Sequence, residues 1–153
     1  MSTHATKISG LMLIERVLLL KSLSVFRDTP ETILAEIVHL MVEMNVPAGT
    51  HIVQEGEVGN CMYIIFEGTV KIHKQKRTLV ELHEKDFFGE LALLDVETRS
   101  ATATASTDCT LFRIDQEPFY DMMESRPEVV KGVIKILCRR IREANLKLLE
   151  KER

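Results

Sequence analysis

Apolar positions in this chain follow a helical period at both ends and a strand period between them. Ile8 to Lys21 repeats its apolar residues at helical spacing. Ser22 to Asp28 reads as a connector. Thr29-Pro30-Glu31-Thr32 carries a helix-start signal, with Thr29 as N-cap and Pro30 at the first helical position. Ile33, Leu34, Ile37, Leu40, Met41 and Met44 keep one face apolar until Pro47-Ala48-Gly49 ends the helix. From Thr50 the period shortens to two. His51–Gln54, Cys61–Glu67, Thr69–Lys74, Thr78–His83 and Leu111–Ile114 read as strands. They are punctuated by Gly56, Gly59, Glu67-Gly68 and the charged turn Gln75-Lys76-Arg77. Pro127-Glu128 then opens a long helix toward the chain end.

Short strands at regular spacing predict a sandwich or barrel. Helices gathered at the two ends make the class α+β. The pattern divides 1–153 as a single domain. It has a helical N-terminal segment over 1–46, a strand-rich segment over 47–115 and C-terminal helices over 116–153.

Composition narrows the chemistry. At 153 residues with 45% hydrophobic content, the chain can bury a core without staples. No apolar run reaches the roughly 20 residues that span a bilayer. Leu11 to Leu20 is interrupted by Glu15 and Arg16 and has no cleavage signal, so the expected location is cytoplasmic. Cys61, Cys109 and Cys138 form no C-x-x-C pair, and each reads as a buried thiol. The five histidines show no metal-ligand spacing, and no Walker A or G-x-G-x-x-G loop occurs. A net charge of −3 argues against nonspecific nucleic-acid binding. No nucleophile–base set is present, so the expectation is a protein without enzymatic activity and without a cofactor.

The run Phe87-Phe88-Gly89-Glu90-Leu91-Ala92-Leu93-Leu94-Asp95-Val96-Glu97-Thr98-Arg99-Ser100-Ala101-Thr102 carries the candidate chemistry. Glu90 can accept hydroxyl hydrogen bonds, and Arg99 can grip an anion with its planar fork. Such a pair suits a ligand combining sugar and phosphate. Gly89 permits close backbone approach. A helical turn over Leu91-Ala92-Leu93-Leu94 would aim free N–H groups at an anion. Ser100 can add a hydroxyl donor and Ala101 a backbone one. Each has a plainer alternative: Glu90 as a surface acid, Arg99 paired with Asp95 or Glu97, and Ser100 as an ordinary strand residue.

The same run resembles the phosphate-binding cassette of the cyclic-nucleotide-binding domain family, that of the cAMP receptor protein and protein kinase A regulatory subunits. The shared pattern is F-G-E-[LI]-[AG]-L, a short insert, then R-[AST]-A. Gly56-Glu57-Val58-Gly59, Tyr63-Ile64-Ile65 and Gly68 are similar to the family's second motif, and the likeness runs from about Leu20 to about Asn145. Val96 and Thr98 depart from the glycine and proline common at those places. The resemblance implies a jelly-roll-like β-roll barrel (a double-stranded β-helix) flanked by N-terminal helices and a long C-terminal helix. It implies a cassette over 87–102, with Gly89, Glu90, Leu91, Ala92, Arg99, Ser100 and Ala101 as ligand-binding residues.

By position in the family, the C-terminal helix brings Ala144 and Asn145 to the base. The Asn145 amide can both donate and accept, and Arg142 is the second candidate, by cation–π stacking. The alternative for both is a solvated helix face. Val130, Ile134, Leu137, Ile141, Ala144 and Leu148 form a heptad-like seam that can pair with another helix, so a homodimer is expected. The function implied is a regulatory sensor of a cyclic nucleotide, cAMP ahead of cGMP, reporting through this helix to an effector domain or larger parent protein. No nucleic-acid partner is expected within the chain. The alternative is a degenerate domain of the same fold serving as a dimerisation or interaction module.

Overall fold

The structure, a computed structural model, describes residues 13–152. The first part of the Ile8–Lys21 helix lies outside them. Its remainder is helix α1, residues 13–22, followed by a turn-rich connector. Helix α2, Glu31–Val38, comes next. Ten strands follow: β1 Val42–Val46, β2 His51–Val53, β3 Val58–Gly59, β4 Cys61–Glu67, β5 Val70–Lys74, β6 Arg77–Leu82, β7 Phe87–Phe88, β8 Glu97–Thr98, β9 Thr102–Ala105 and β10 Cys109–Asp115. The one-turn helix α3, Glu90–Leu94, separates β7 from β8. Helices α4, Gln116–Ser125, and α5, Pro127–Lys151, close the chain.

All strand pairs are antiparallel. One sheet runs β1-β10-β4-β7, a second β2-β9-β5-β6, and β3 pairs with β8. β4 explains why the architecture has two cores. Its residues Cys61 to Ile65 are all buried, because alternate side chains enter different layers. Met62 and Ile64 join Phe112 and Ile114 of β10 under the helices, with Leu20, Leu34, Ile37 and Phe119. Tyr63 and Ile65 point the other way, into the roll, with Val70, Ala103, Ala105 and Leu111. The sheet therefore welds the helices to the roll.

Three features differ from the sequence expectation. Thr29 does not cap α2: Pro30 is the N-cap, with no side-chain cap bond, and its carbonyl accepts from Ile33 and Leu34. The Thr29 carbonyl is instead taken by the Lys21 ammonium at 3.0 Å. Helix α2 stops at Val38, and Val42–Val46, within the segment expected to be helical, is a strand on β10. Met41 and Met44 satisfy a helical period and a strand period alike, so spacing alone could not choose. Cys138 is exposed, while Cys61 and Cys109 are buried.

The long helix α5 begins where expected, after Arg126 in the extended backbone that precedes proline. It packs on the helical core through Val129, Val133 and Ile136. That stripe is distinct from the heptad seam. Val130, Ile134, Ile141 and Leu148 remain 37%, 54%, 61% and 61% exposed. From Ile141 through Glu150 every residue is exposed.

Candidate functional site

Arg99 is the centre of the site because it is a charged side chain placed indoors. It is only 7% exposed. Its backbone is held by the Gly56-Glu57 turn: Arg99 N–H donates to the Glu57 carbonyl at 2.7 Å, and Gly56 N–H to the Arg99 carbonyl at 2.9 Å. The side chain then runs between two glycines. A Cβ at Gly59 would collide with Nε and Cζ of Arg99. One at Gly89, where φ is +77°, would lie 2.5 Å from its Nη1. The two glycine-bearing motifs of the sequence thus meet around one guanidinium.

The guanidinium has few partners of its own. Nη2 donates to the Cys61 carbonyl at 2.8 Å and approaches the Cys61 sulfur at 3.5 Å. Among the described residues no carboxylate lies in ion-pair reach, so the alternative pairing with Asp95 or Glu97 is not formed. A buried charge held by one carbonyl keeps most of its five donors in hand. Arg99 lines a cavity of about 350 Å³. Beneath it, the Tyr63 ring stacks on Phe88 at 5.1 Å. Burial pushes the Tyr63 phenol well above its ordinary range, the Cys61 thiol adds to this, and Arg99 and Arg113 pull back against it.

The same cavity brings together most of the cassette. Gly89, Glu90, Leu91, Ser100 and Ala101 line it with Arg99. Val53, Ile72, Val80, Leu82 and Phe87 make an apolar wall. α3 forms the helical turn expected after Gly89, but the Ala92 N–H is spent on the Gly89 carbonyl at 3.1 Å, and Ala92 is fully buried. The N–H groups of Glu90 and Leu91 stand at the open end of the turn. α4 braces α3 from behind. Tyr120 donates to the Leu94 carbonyl, and Gln116 to that of Ala92 at 3.4 Å.

Glu90 lines the cavity and meets α5 on its other side. Arg140 donates to one of its carboxylate oxygens at 2.7 Å. The neighbouring Arg139 binds Asp28 at 2.5 Å and the Ser24 carbonyl. Adjacent arginines thus tie α5 to the cassette and to the connector after α1. Asn145 is exposed and does not line the cavity. Arg142 lines a separate groove with Asp28 and Pro30. The α5 side chain that reaches the cassette is Arg140, one turn before Ala144. The basic cluster Arg139-Arg140-Arg142 was visible in the sequence; which member faced inward depended on the helix's rotation. Among the described residues no cluster of metal-ligating side chains occurs, and no helix is long and apolar enough to cross a membrane.

Comparison with known proteins identifies the family. The family model for the cyclic nucleotide-binding domain matches residues 43–126, more than half of the chain. A cyclic AMP receptor protein of Thermus thermophilus is 35% identical over 107 residues, covering 67% of this chain and 50% of that protein. A cyclic nucleotide-gated potassium channel of Rhizobium etli is 34% identical over 122 residues, covering 80% of this chain and 34% of the channel. Among solved structures, the N-terminal domain of a transcriptional regulator from Streptomyces coelicolor superposes with a TM-score of 0.78 at 28% identity, covering 83% of this chain and 92% of that one. The chain spans about half the length of the receptor protein it matches. With the cassette, the roll and the family model in agreement, the chain belongs to the cyclic nucleotide-binding domain family.

Proposed function

We propose that this chain senses a 3′,5′-cyclic nucleotide, cAMP in preference to cGMP, as a non-enzymatic regulatory domain in the cytoplasm. The observation that carries the reading is Arg99: a buried guanidinium with donors to spare, lining a cavity and unneutralised by any described carboxylate. A cyclic phosphate presents one negative charge and two free oxygens, which a guanidinium fork can meet together. Ser100 and the amides of Glu90, Leu91 and Ala101 are the further donors proposed around it. Glu90 accepts the ribose 2′-hydroxyl, a charge-assisted bond contributing about 1.5–3 kcal/mol. The base lies against Ile72, Val80 and Leu82. The preference for cAMP follows the relatives named for that nucleotide.

In this reading Arg140 transmits occupancy. A ligand on Glu90 removes water from around the Glu90–Arg140 pair, strengthens it, and draws α5 toward the cassette. Asn145 and Arg142 then reach a base only through movement of α5 or from the α5 of a second copy. The exposed seam of α5 supports a homodimer, and the effector belongs to a larger parent protein or a partner. Calorimetry tests the core claim. Heat of binding with cAMP at sub-millimolar ligand is expected, and a folded protein giving none with either cAMP or cGMP sinks it. The second reading, a ligand-free dimerisation module, draws on the same exposed seam. It predicts a dimer whose melting temperature no cyclic nucleotide changes.

A further inference from the structure

Three charged side chains line the cavity: Glu90, Glu97 and Arg99. Glu90 has an ion-pair partner, Arg140 at 2.7 Å, and Arg99 has the Cys61 carbonyl and, in the proposed function, the phosphate of the ligand. Glu97 has no ion-pair partner among the described residues. Its place on β8 is opposite Gly59, the residue over which Arg99 lies. It precedes Arg99 by two positions, and both residues line the cavity. Even so, Arg99 turns to the Cys61 carbonyl rather than to Glu97. Once a monoanionic phosphate sits on Arg99, every charge in the cavity is balanced except that of Glu97.

We propose that Glu97 is a specificity-determining residue, a charge filter favouring monoanionic cyclic phosphates over dianionic linear ones. The proposal rests on the cyclic-nucleotide reading above. A carboxylate beside a bound phosphate repels it in proportion to the phosphate's charge. A cyclic phosphodiester carries one charge at neutral pH. A nucleoside 5′-monophosphate carries between about 1.5 and 2, its second ionisation lying near pH 6. Glu97 therefore weakens both ligands, and weakens the linear one more. Its effect falls on the phosphate, so it is the same for adenine and guanine nucleotides. Glu97 is exposed to solvent, so salt screens the effect.

The test is displacement of an 8-substituted fluorescent cAMP from wild type, Glu97→Gln and Glu97→Asp by cAMP, cGMP, 5′-AMP and adenosine at pH 7.5. Glu97→Gln is expected to tighten cAMP and cGMP equally, by roughly two- to fivefold, the scale of a partly exposed charge pair. It should tighten 5′-AMP by a larger factor and leave adenosine unchanged, and Glu97→Asp should stay near wild type. The gains should shrink as salt rises from low to high. Unchanged affinities in Glu97→Gln overturn the filter and leave the cyclic-nucleotide reading standing. A loss confined to cGMP also overturns it, since that would make Glu97 a base contact. Folded wild type and Glu97→Gln that both bind no cyclic nucleotide overturn the filter together with the reading beneath it.

Discussion

Glu90 and Arg140 join the cassette to the C-terminal helix through a 2.7 Å ion pair. Glu90 faces the cavity and Arg140 stands behind it, lining a separate hollow with Arg27 and Arg139. A carboxylate has four lone-pair sites, so Arg140 and a ribose hydroxyl need not compete. Arg140→Gln should therefore weaken cyclic-nucleotide binding, not strengthen it. The side chains are 39% and 21% exposed, which limits the loss to about 0.5–1 kcal/mol, or a few-fold in affinity. Titration calorimetry reads this directly. Tighter binding in Arg140→Gln would instead mark the pair as a latch that ligand must break.

Gly59 controls the site without having a side chain to touch a ligand. Gly59→Ala places a methyl where Nε and Cζ of Arg99 lie, and Arg99 must leave its slot. Binding should fall by at least tenfold while the β3–β8 pairing persists. Arg99→Leu should go further and abolish binding, since it removes the donors themselves. Its fold should survive at a cost of about 1–3 kcal/mol for the abandoned Cys61 carbonyl. Circular dichroism on both variants, beside the binding isotherms, separates loss of site from loss of fold.

That slot shows what the sequence could and could not convey. Thr69–Lys74 and Thr78–His83 were readable by alternation, and Cys61–Glu67 as a run rich in β-formers whose residues Cys61 to Ile65 are all buried. Glu90, Arg99 and the turn between them were readable as residue types at a spacing. Arg99 passing between Gly59 and Gly89 was not, since it joins segments far apart in sequence. The two-residue strands β3, β7 and β8 are too short to show a period and exist only through their partners. Val42–Val46 failed for the opposite reason: two periods fit it, and pairing with β10 decided. On α5 the heptad seam is real in sequence, but Val129, Val133 and Ile136 carry the packing instead. That rotation turns Arg140, and not Asn145, toward the cassette.

Tyr63 couples the roll interior to alkaline stability. Its phenol is raised by burial first and by the Cys61 thiol second. In the unfolded chain it ionises near pH 10, while the folded protein keeps it neutral. Its contribution is thus complete below pH 10 and declines as pH rises above that value. Urea denaturation at pH 8 and pH 10.5 should show wild type losing more stability between the two than Tyr63→Phe. Equal losses would mean that the buried phenol plays no part.

The exposed half of α5 yields a prediction about assembly that is independent of ligand. Ile141 and Leu148 are each 61% exposed and seven residues apart, on the seam begun by Val130 and Ile134. Large apolar side chains repeated at heptad spacing favour pairing with a second helix. The packing stripe ends at Ile136, so changes beyond it leave the domain core untouched. Ile141→Glu with Leu148→Glu should therefore convert a dimer to a monomer in sedimentation equilibrium. The melting transition measured at low protein concentration should stay within a few degrees of wild type, because no core contact is lost. Ligand affinity gives the second half of the test. If a partner's α5 covers the base, the monomeric variant should bind cyclic nucleotide more weakly, although its own cassette, Arg99 and Glu90 are intact. If each domain binds alone, the two affinities should coincide, and α5 serves assembly without serving the site.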